Sequence, residues 1–388
     1  MKINYPLISD SWGKEEKAAI NKVVKSNIYT YQGKFVKEFE NKFSKYFGLK
    51  YGVFVNSGSS ANLLAIAALF FKKKNPLKKG DEVIVPALSW ATTYHPLQQY
   101  GLKLRFVDIN LKTLNTDAEQ MIKAVTKSTK LIVAVSILGN PAEVDKLSQF
   151  CKKRNIYLLE DNCESMGARI NGKYTGTFGT LNTYSTFFSH HISTIEGGLV
   201  LTDDKELYNL ILSLRSHGWT RDIQDKNFYL KKFQKKYEDY CFVLPGYNLR
   251  PTNISAAVGL EQLKKLDQLL TIRRKNHNFF LKLFSQDKRF IIQKIIGEGS
   301  AFAFTFVIKK QFLNLKSKIF LRFKKFGIQY RLITGGSFFM HPVKKFYNFT
   351  CYKKMTNVNY IHKNGFFVGN HPKDLKKELL LLKKALNF

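Results

Sequence analysis

The 388-residue chain is 44% apolar and 24% charged, a composition that excludes disorder and fibrous structure, and its length suits about two to three domains. Sixty-three Lys and Arg against 29 Asp and Glu leave a formal charge of +34, which reads either as attraction to nucleic acid, an anionic surface or an anionic substrate, or as a codon bias that also enriches Ile, Asn, Phe and Tyr. The charge is directional, with eighteen basic and two acidic side chains (Asp374 and Glu378) between 301 and 388.

Phe35, Phe39, Phe43 and Phe47 recur every four residues and stop before Gly48, which predicts an amphipathic helix with a glycine C-cap. The apolar run 51–55 predicts a strand that enters 56–60 and then an apolar helix over 61–71. Further buried strands are expected at 82–85, 104–107, 131–135 and 157–159, with helical patterns such as 143–154 between them. This alternation implies an α/β domain with a mostly parallel sheet, whose ligands sit at the carboxyl ends of the strands. After Gly197-Gly198, a helix at 205–216 and a polar, aromatic-rich stretch at 222–240 lead to a long helix at 253–284. That helix links two domains, a larger one over 1–252 and a smaller α+β unit over 253–388. The smaller unit is expected to hold a strand at 303–308, a helix at 312–326, a strand at 328–333 and a terminal helix from about 375. The chain contains no internal repeat, no Walker A motif and no G-x-G-x-x-G fingerprint, so nucleotide hydrolysis and dinucleotide redox chemistry lose ground.

Cys151, Cys163, Cys241 and Cys351 form no C-x-x-C pair and have neither zinc nor iron–sulfur spacing, which fits free thiols in a reducing compartment. The first residues lack the apolar core of a signal peptide, and the longest apolar run, 63–71, is too short to span a bilayer. A cytoplasmic protein without membrane insertion is expected.

Three segments carry chemistry. Asn56-Ser57-Gly58-Ser59-Ser60 places small hydroxyls and a glycine between a strand and a helix, where free helix N–H groups hold a phosphate, although an ordinary strand-to-helix turn has the same composition. Residues 157–164 form a buried strand ending in acids, and such a carboxylate pairs with a protonated ring nitrogen or caps a helix. Residues 184–198 contain the adjacent His190 and His191, which point in different directions on any regular element. They make a poor metal pair, yet one of them can act as an acid or base.

In this order the three segments resemble the sugar-nucleotide aminotransferase family, whose members bind pyridoxal phosphate in the type I aminotransferase fold. The resemblance runs from Tyr31-Gln32-Gly33-Lys34-Phe35 to Phe366-Phe367-Val368-Gly369-Asn370-His371. It implies that Gly58, Ser59 and Ser185 hold the cofactor phosphate, that Trp90 stacks on the pyridine ring, and that Asp161 pairs with the pyridine nitrogen. Glu164 falls where a nearby acid contacts the cofactor region. Asn248, in Pro245-Gly246-Tyr247-Asn248-Leu249-Arg250, matches the residue that reaches the phosphate from a partner subunit, which implies a homodimer with shared active sites. Arg221, Arg250 and Arg331 stand in segments that the resemblance places around the substrate, where Arg suits a diphosphate.

One position departs from the family pattern. Counting six residues back from Glu196 of the Glu-Gly-Gly motif, where the family's Schiff-base lysine stands, reaches His190. A histidine there resembles the pyridoxamine-phosphate-dependent 3-dehydratases that make 3-deoxysugars, with His190 as the catalytic acid–base. One branch of these uses an iron–sulfur cluster and a CDP-sugar; the other lacks a cluster and acts on GDP-4-keto-6-deoxy-mannose on the way to colitose. The scattered cysteines fit the second. The resemblance therefore implies pyridoxamine 5'-phosphate and pyridoxal 5'-phosphate as cofactors without an iron–sulfur cluster, a nucleotide-sugar substrate, L-glutamate as amino donor, and no nucleic-acid partner. An aminotransferase that recruits another lysine, a dehydratase acting on a heptose or CDP-sugar, and a basic binding protein without catalysis stay open at this point.

Overall fold

The computed structural model describes residues 2–223 and 240–388, and the polar stretch at 222–240 lies almost wholly outside them. Helices α1 (Lys14–Ser26) and α2 (Lys34–Phe47) precede β1 (Tyr51–Val55). The chain then alternates through α3 (Gly58–Phe70), β2 (Glu82–Pro86), α4 (Ala91–Gln99), β3 (Lys103–Val107), α5 (Ala118–Lys123), β4 (Thr129–Val135), α6 (Val144–Arg154) and β5 (Tyr157–Asp161). A ribbon of β6 (Arg169–Ile170) and β7 (Lys173–Tyr174) leads to β8 (Leu181–Ser185), β9 (Gly198–Thr202) and α7 (Lys205–Arg215). The remainder holds α8 (Asn253–Phe284), β10 (Phe290–Ile291), β11 (Ala303–Ile308), α9 (Lys316–Phe326), β12 (Arg331–Leu332), β13 (Phe349–Cys351), α10 (Thr356–Asn364), β14 (Gly365–Gly369) and α11 (Lys376–Leu386).

The large sheet has the order β1-β9-β8-β5-β4-β2-β3-β13. Every pairing from β8 to β13 is parallel, and β9 runs antiparallel to both of its neighbours. Its strands read as near-continuous apolar runs because both faces are covered by helices. On one side α2 buries Phe35, Phe39, Phe43 and Phe47, and Phe39 meets Phe54 of β1 edge to face at 4.9 Å. Gly48 ends α2 at φ 76° and returns its N–H to Lys45. The mixed α/β architecture with a mostly parallel sheet matches the sequence expectation.

The small sheet, β10-β11-β14-β12, is antiparallel throughout. Helix α8 spans both cores: Ala256, Ala257, Leu260 and Leu266 pack with the α2 phenylalanines, whereas Phe280 and Phe284 pack with Phe304 and Phe306 of β11. Chain ends also join this unit, since Tyr5 bridges to Ile328 and its hydroxyl donates to the Gly369 carbonyl at 2.6 Å.

Two expected elements are shorter than the pattern suggested. Residues 310–315 form a tight 3-10 turn and the α-helix begins only at Lys316. Of the expected strand at 328–333 only Arg331–Leu332 pairs with β14; Ile328 bridges to Tyr5 instead, and the strand ends before a turn at Thr334, whose φ of 38° no strand accommodates. The edge strand β13 was not foreseen; it adds to the large sheet beside β3 although it comes from the C-terminal region.

Candidate active site

A cavity of about 600 Å³ opens at the carboxyl ends of β1, β5 and β8, the expected place for a ligand on a parallel sheet. Residues 7–9, 331–335 and 367–371 close it from the small-sheet side. Gly58, Ser59, Trp90, Asp161, Glu164, Ser185, His190 and Arg331 all line it.

One wall is an anion cradle. Ser57 is the N-cap of α3 and its Oγ accepts from the Ser60 N–H at 3.1 Å, so the helix starts three residues earlier than the apolar pattern suggested and the Gly58 and Ser59 N–H groups sit at a helix N-terminus. The backbone comes in close: a Cβ on Gly58 would lie 2.7 Å from Ser185 Cβ, and one on Gly198 would lie 2.4 Å from the Ser57 carbonyl oxygen. The Glu-Gly-Gly motif thus leaves room beneath the Ser57–Gly58 turn for β9 to pass. Ser59 Oγ donates to Thr92 and Ser185 Oγ accepts from the Phe187 N–H, which orients both hydroxyls.

The floor holds a carboxylate. Asp161 ends β5 and is buried; its Oδ2 accepts from Asn62 Nδ2 at 2.8 Å and Thr93 Oγ1 at 2.7 Å, and its Oδ1 accepts from the Cys163 N–H at 3.2 Å. Three donors of this kind fix the plane of the carboxylate. Asn62 and Thr93 were missed in the sequence, although a lone Asn in the otherwise apolar α3 was a usable signal. Trp90 stands at the start of α4 with half of its surface open, 53%, and lines the cavity as a flat apolar plate.

Glu164 Oε2 accepts from the Leu138 N–H and the Thr334 hydroxyl, tying the large sheet to the small-sheet side. Burial, with Asp161 beside it, pushes its carboxyl up to about 7.

The two adjacent histidines separate completely. His191 is fully buried, with Nε2 against the Ser300 carbonyl and Nδ1 without a partner. His190 faces the cavity between the edges of Phe187 and Phe302. Its Nδ1 lies 2.8 Å from the Cys163 carbonyl, an acceptor only, so Nδ1 carries the proton and Nε2 is left as a lone pair. Desolvation pushes the imidazole down to about 4, the Cys163 bond opposing and the Arg273 charge reinforcing this. The ring is therefore neutral near pH 7. No lysine lines the cavity among the described residues.

Arg221, Arg250 and Asn248 do not join the cavity lining. They cluster around Tyr31 instead: the Arg221 guanidinium donates to the Tyr31 hydroxyl at 2.6 Å, Arg250 lies over the Tyr31 ring at 5.1 Å, and Arg250 Nε donates to Asn248. Cys151 and Cys241 are buried, Cys163 lines the cavity and Cys351 is exposed. Among the described residues no three His, Cys, Asp or Glu side chains converge as a metal site, and no helix is long and apolar enough to cross a membrane.

An anion cradle, a half-exposed aromatic plate, a buried carboxylate and a neutral histidine suit a flat, phosphorylated heteroaromatic ring with a protonated nitrogen. A Cβ at Gly58 would fill that cradle, and the donor set matches pyridoxal phosphate or its amine form. Comparison with known proteins agrees. The model of the DegT/DnrJ/EryC1/StrS aminotransferase family matches residues 10–376. The chain is 49% identical to the GDP-4-keto-6-deoxy-D-mannose 3-dehydratase of Escherichia coli over 387 residues, 99% of this chain and 100% of that protein. It is also 49% identical to the protein of that name from Yersinia pseudotuberculosis, covering 97% and 96% of the two chains. The solved structure of the Escherichia coli dehydratase with bound hydrated PLP superposes with a TM-score of 0.96 at 48% identity, covering all of both chains. A GDP-4-keto-6-deoxymannose-3-dehydratase structure with a trapped PLP-glutamate geminal diamine superposes at 0.95 and 48% identity, covering 99% and 100%.

Proposed function

The chain belongs to the DegT/DnrJ/EryC1/StrS aminotransferase family, and we propose that it is a pyridoxamine-phosphate-dependent 3-dehydratase that removes the 3-hydroxyl of GDP-4-keto-6-deoxy-D-mannose, with L-glutamate as amino donor. The observation that carries this reading is His190 in the cavity where the family keeps its Schiff-base lysine, with no lysine lining the cavity in its place. A lysine there would capture the aldehyde and return the cofactor to the transamination cycle, whereas a histidine moves protons without forming that bond.

When bound, the cofactor supplies an amine for the 4-keto carbon and a ring that accepts electrons as bonds at the sugar break. The α3 N-terminus, Ser59 and Ser185 hold its phosphate, Trp90 covers the ring, and Asp161 keeps the ring nitrogen protonated. His190 Nε2 takes the proton from the carbon beside the ring and returns it to the departing 3-hydroxyl. Arg331 at the cavity rim faces the nucleotide diphosphate. The Tyr31 cluster, with Asn248, Arg221 and Arg250, completes a neighbouring subunit's site in a homodimer; exposed Phe187 and Ile195 support such an apolar contact. Over one turnover glutamate becomes 2-oxoglutarate and ammonia, and C3 exchanges its hydroxyl for hydrogen. The product suits a 3,6-dideoxysugar of the colitose type for lipopolysaccharide, made in the cytoplasm.

Incubation with glutamate, cofactor and 4-keto-6-deoxy sugars carried on GDP, CDP or dTDP tests the proposal. The GDP substrate should lose the mass of one oxygen atom. Exchange of its carbonyl oxygen for an amino group would identify an aminotransferase instead.

A further inference from the structure

Arg273, in the middle of α8, is 3% exposed and lines the cavity. Among the described residues no carboxylate pairs with it. Its Nη1 donates to the main-chain carbonyls of Asn370 and Phe302, its Nη2 donates to the His190 carbonyl at 3.1 Å, and its Nε has no partner. Burying a cation against three neutral acceptors is expensive, and desolvation pushes the guanidinium down to about 10. A neutral side chain would tie carbonyls at lower cost, so the choice of Arg asks for a reason beyond packing.

We infer that Arg273 is a positioning residue for His190: it ties the His190 carbonyl to the Phe302 and Asn370 carbonyls, so that the imidazole, held on its other side by Cys163, presents Nε2 to the cavity. The inference rests on His190 being the base. Among the described residues, two bonds from outside its own loop hold His190, Cys163 at the ring and Arg273 at the main chain, and the second also links the His190 loop to the small-sheet side. Charge acts in the same direction. Asp161, Cys163 and Glu164 face the ring from the end of β5, His191 shares its loop, and Arg273 faces it from α8. Asp161 favours the imidazolium, and Arg273 favours the neutral ring that a base requires.

The test uses Arg273→Gln and Arg273→Lys, each alone and combined with His190→Asn, in the cofactor-loaded enzyme. Arg273→Gln should lower kcat by about 10- to 100-fold through misplacement of the base, with cofactor affinity and KM little changed. Its acid limb should move up by about one pH unit, since loss of a nearby positive charge raises the imidazole pKa. Arg273→Lys should keep the limb in place and lose part of kcat. If the Gln variant does not fold, the Lys variant carries the test through its coupling to His190→Asn. Little further loss when either variant is added to His190→Asn supports the inference. Equal fractional loss in both backgrounds, or an unmoved limb in Arg273→Gln, overturns it. Near wild-type dehydration by His190→Asn alone would instead sink the assignment of the base, a separate outcome.

Discussion

Replacing Asp161 by Asn keeps shape and removes one charge and one acceptor. Three donors converge on the carboxylate: Asn62 and Thr93 on Oδ2 and the Cys163 N–H on Oδ1. An amide has a single oxygen. Turned toward Asn62 and Thr93, it sets its NH2 against the Cys163 N–H; turned the other way, it sets that NH2 against two donors. Asn62 cannot simply flip, because its own Oδ1 accepts from Thr183 at 2.6 Å. One unsatisfied buried donor costs about 1–3 kcal/mol. Loss of the charge opposite a protonated ring nitrogen costs about 3–5 kcal/mol more in the bound state. Cofactor affinity should therefore fall by about a hundredfold to several thousandfold, and turnover should fall further because the ring no longer stays protonated. Titration of pyridoxal phosphate, followed by quenching of Trp90 fluorescence, measures the first; product formation at saturating cofactor measures the second. Thr93→Val, which removes one donor and no charge, should lose only about tenfold. If Asp161→Asn binds cofactor within about threefold of the parent enzyme and turns over normally, Asp161 does not face the ring nitrogen.

Other substitutions probe separate parts. His190→Lys should form a borohydride-reducible bond to pyridoxal phosphate and lose dehydration, whereas His190→Asn should bind the cofactor without that bond and dehydrate about 10²- to 10⁴-fold more slowly; wild-type dehydration in both would exclude His190 as the base. Arg215 and Glu40 form a buried pair at 2.6 Å that also engages both main-chain groups of Phe54, so Arg215→Met strands a buried carboxylate and should cost about 3–5 kcal/mol in denaturant unfolding; a loss under about 1 kcal/mol contradicts the reasoning. Glu164 has a carboxyl raised to about 7 by burial, so the folded state favours its protonated form. Stability from this group is present below about pH 4.5 and is lost as pH rises through about 7. Glu164→Gln removes that dependence, and its melting temperature relative to the parent should climb between those limits and level off above them; a constant gap across pH 5 to 8 rules the effect out.

The sequence alone determined the fold class and the positions of the chemical segments, for local reasons. Phenylalanines four residues apart define the buried stripe of α2, apolar runs of strand length alternate with helices, and the identity of residue 190 is a matter of counting from Glu196. Each of these signals lies within a few residues of what it predicts. The tertiary structure decided what depends on contacts across the chain. Asn62 and Thr93 meet Asp161 from 99 and 68 residues away, and although a lone Asn in an apolar helix marks a polar role, nothing local names its partner. His190 and His191 are neighbours with opposite fates, one at the cavity and one sealed against Ser300, because an irregular turn, unlike a helix or strand, has no period from which to read side-chain direction. Arg331 reaches the cavity while Arg221 and Arg250 gather at Tyr31, a division set by which elements pack together. Arg273 is hidden for the same reason: in the sequence it is one basic residue among 63, and only the fold brings its guanidinium to the His190 carbonyl.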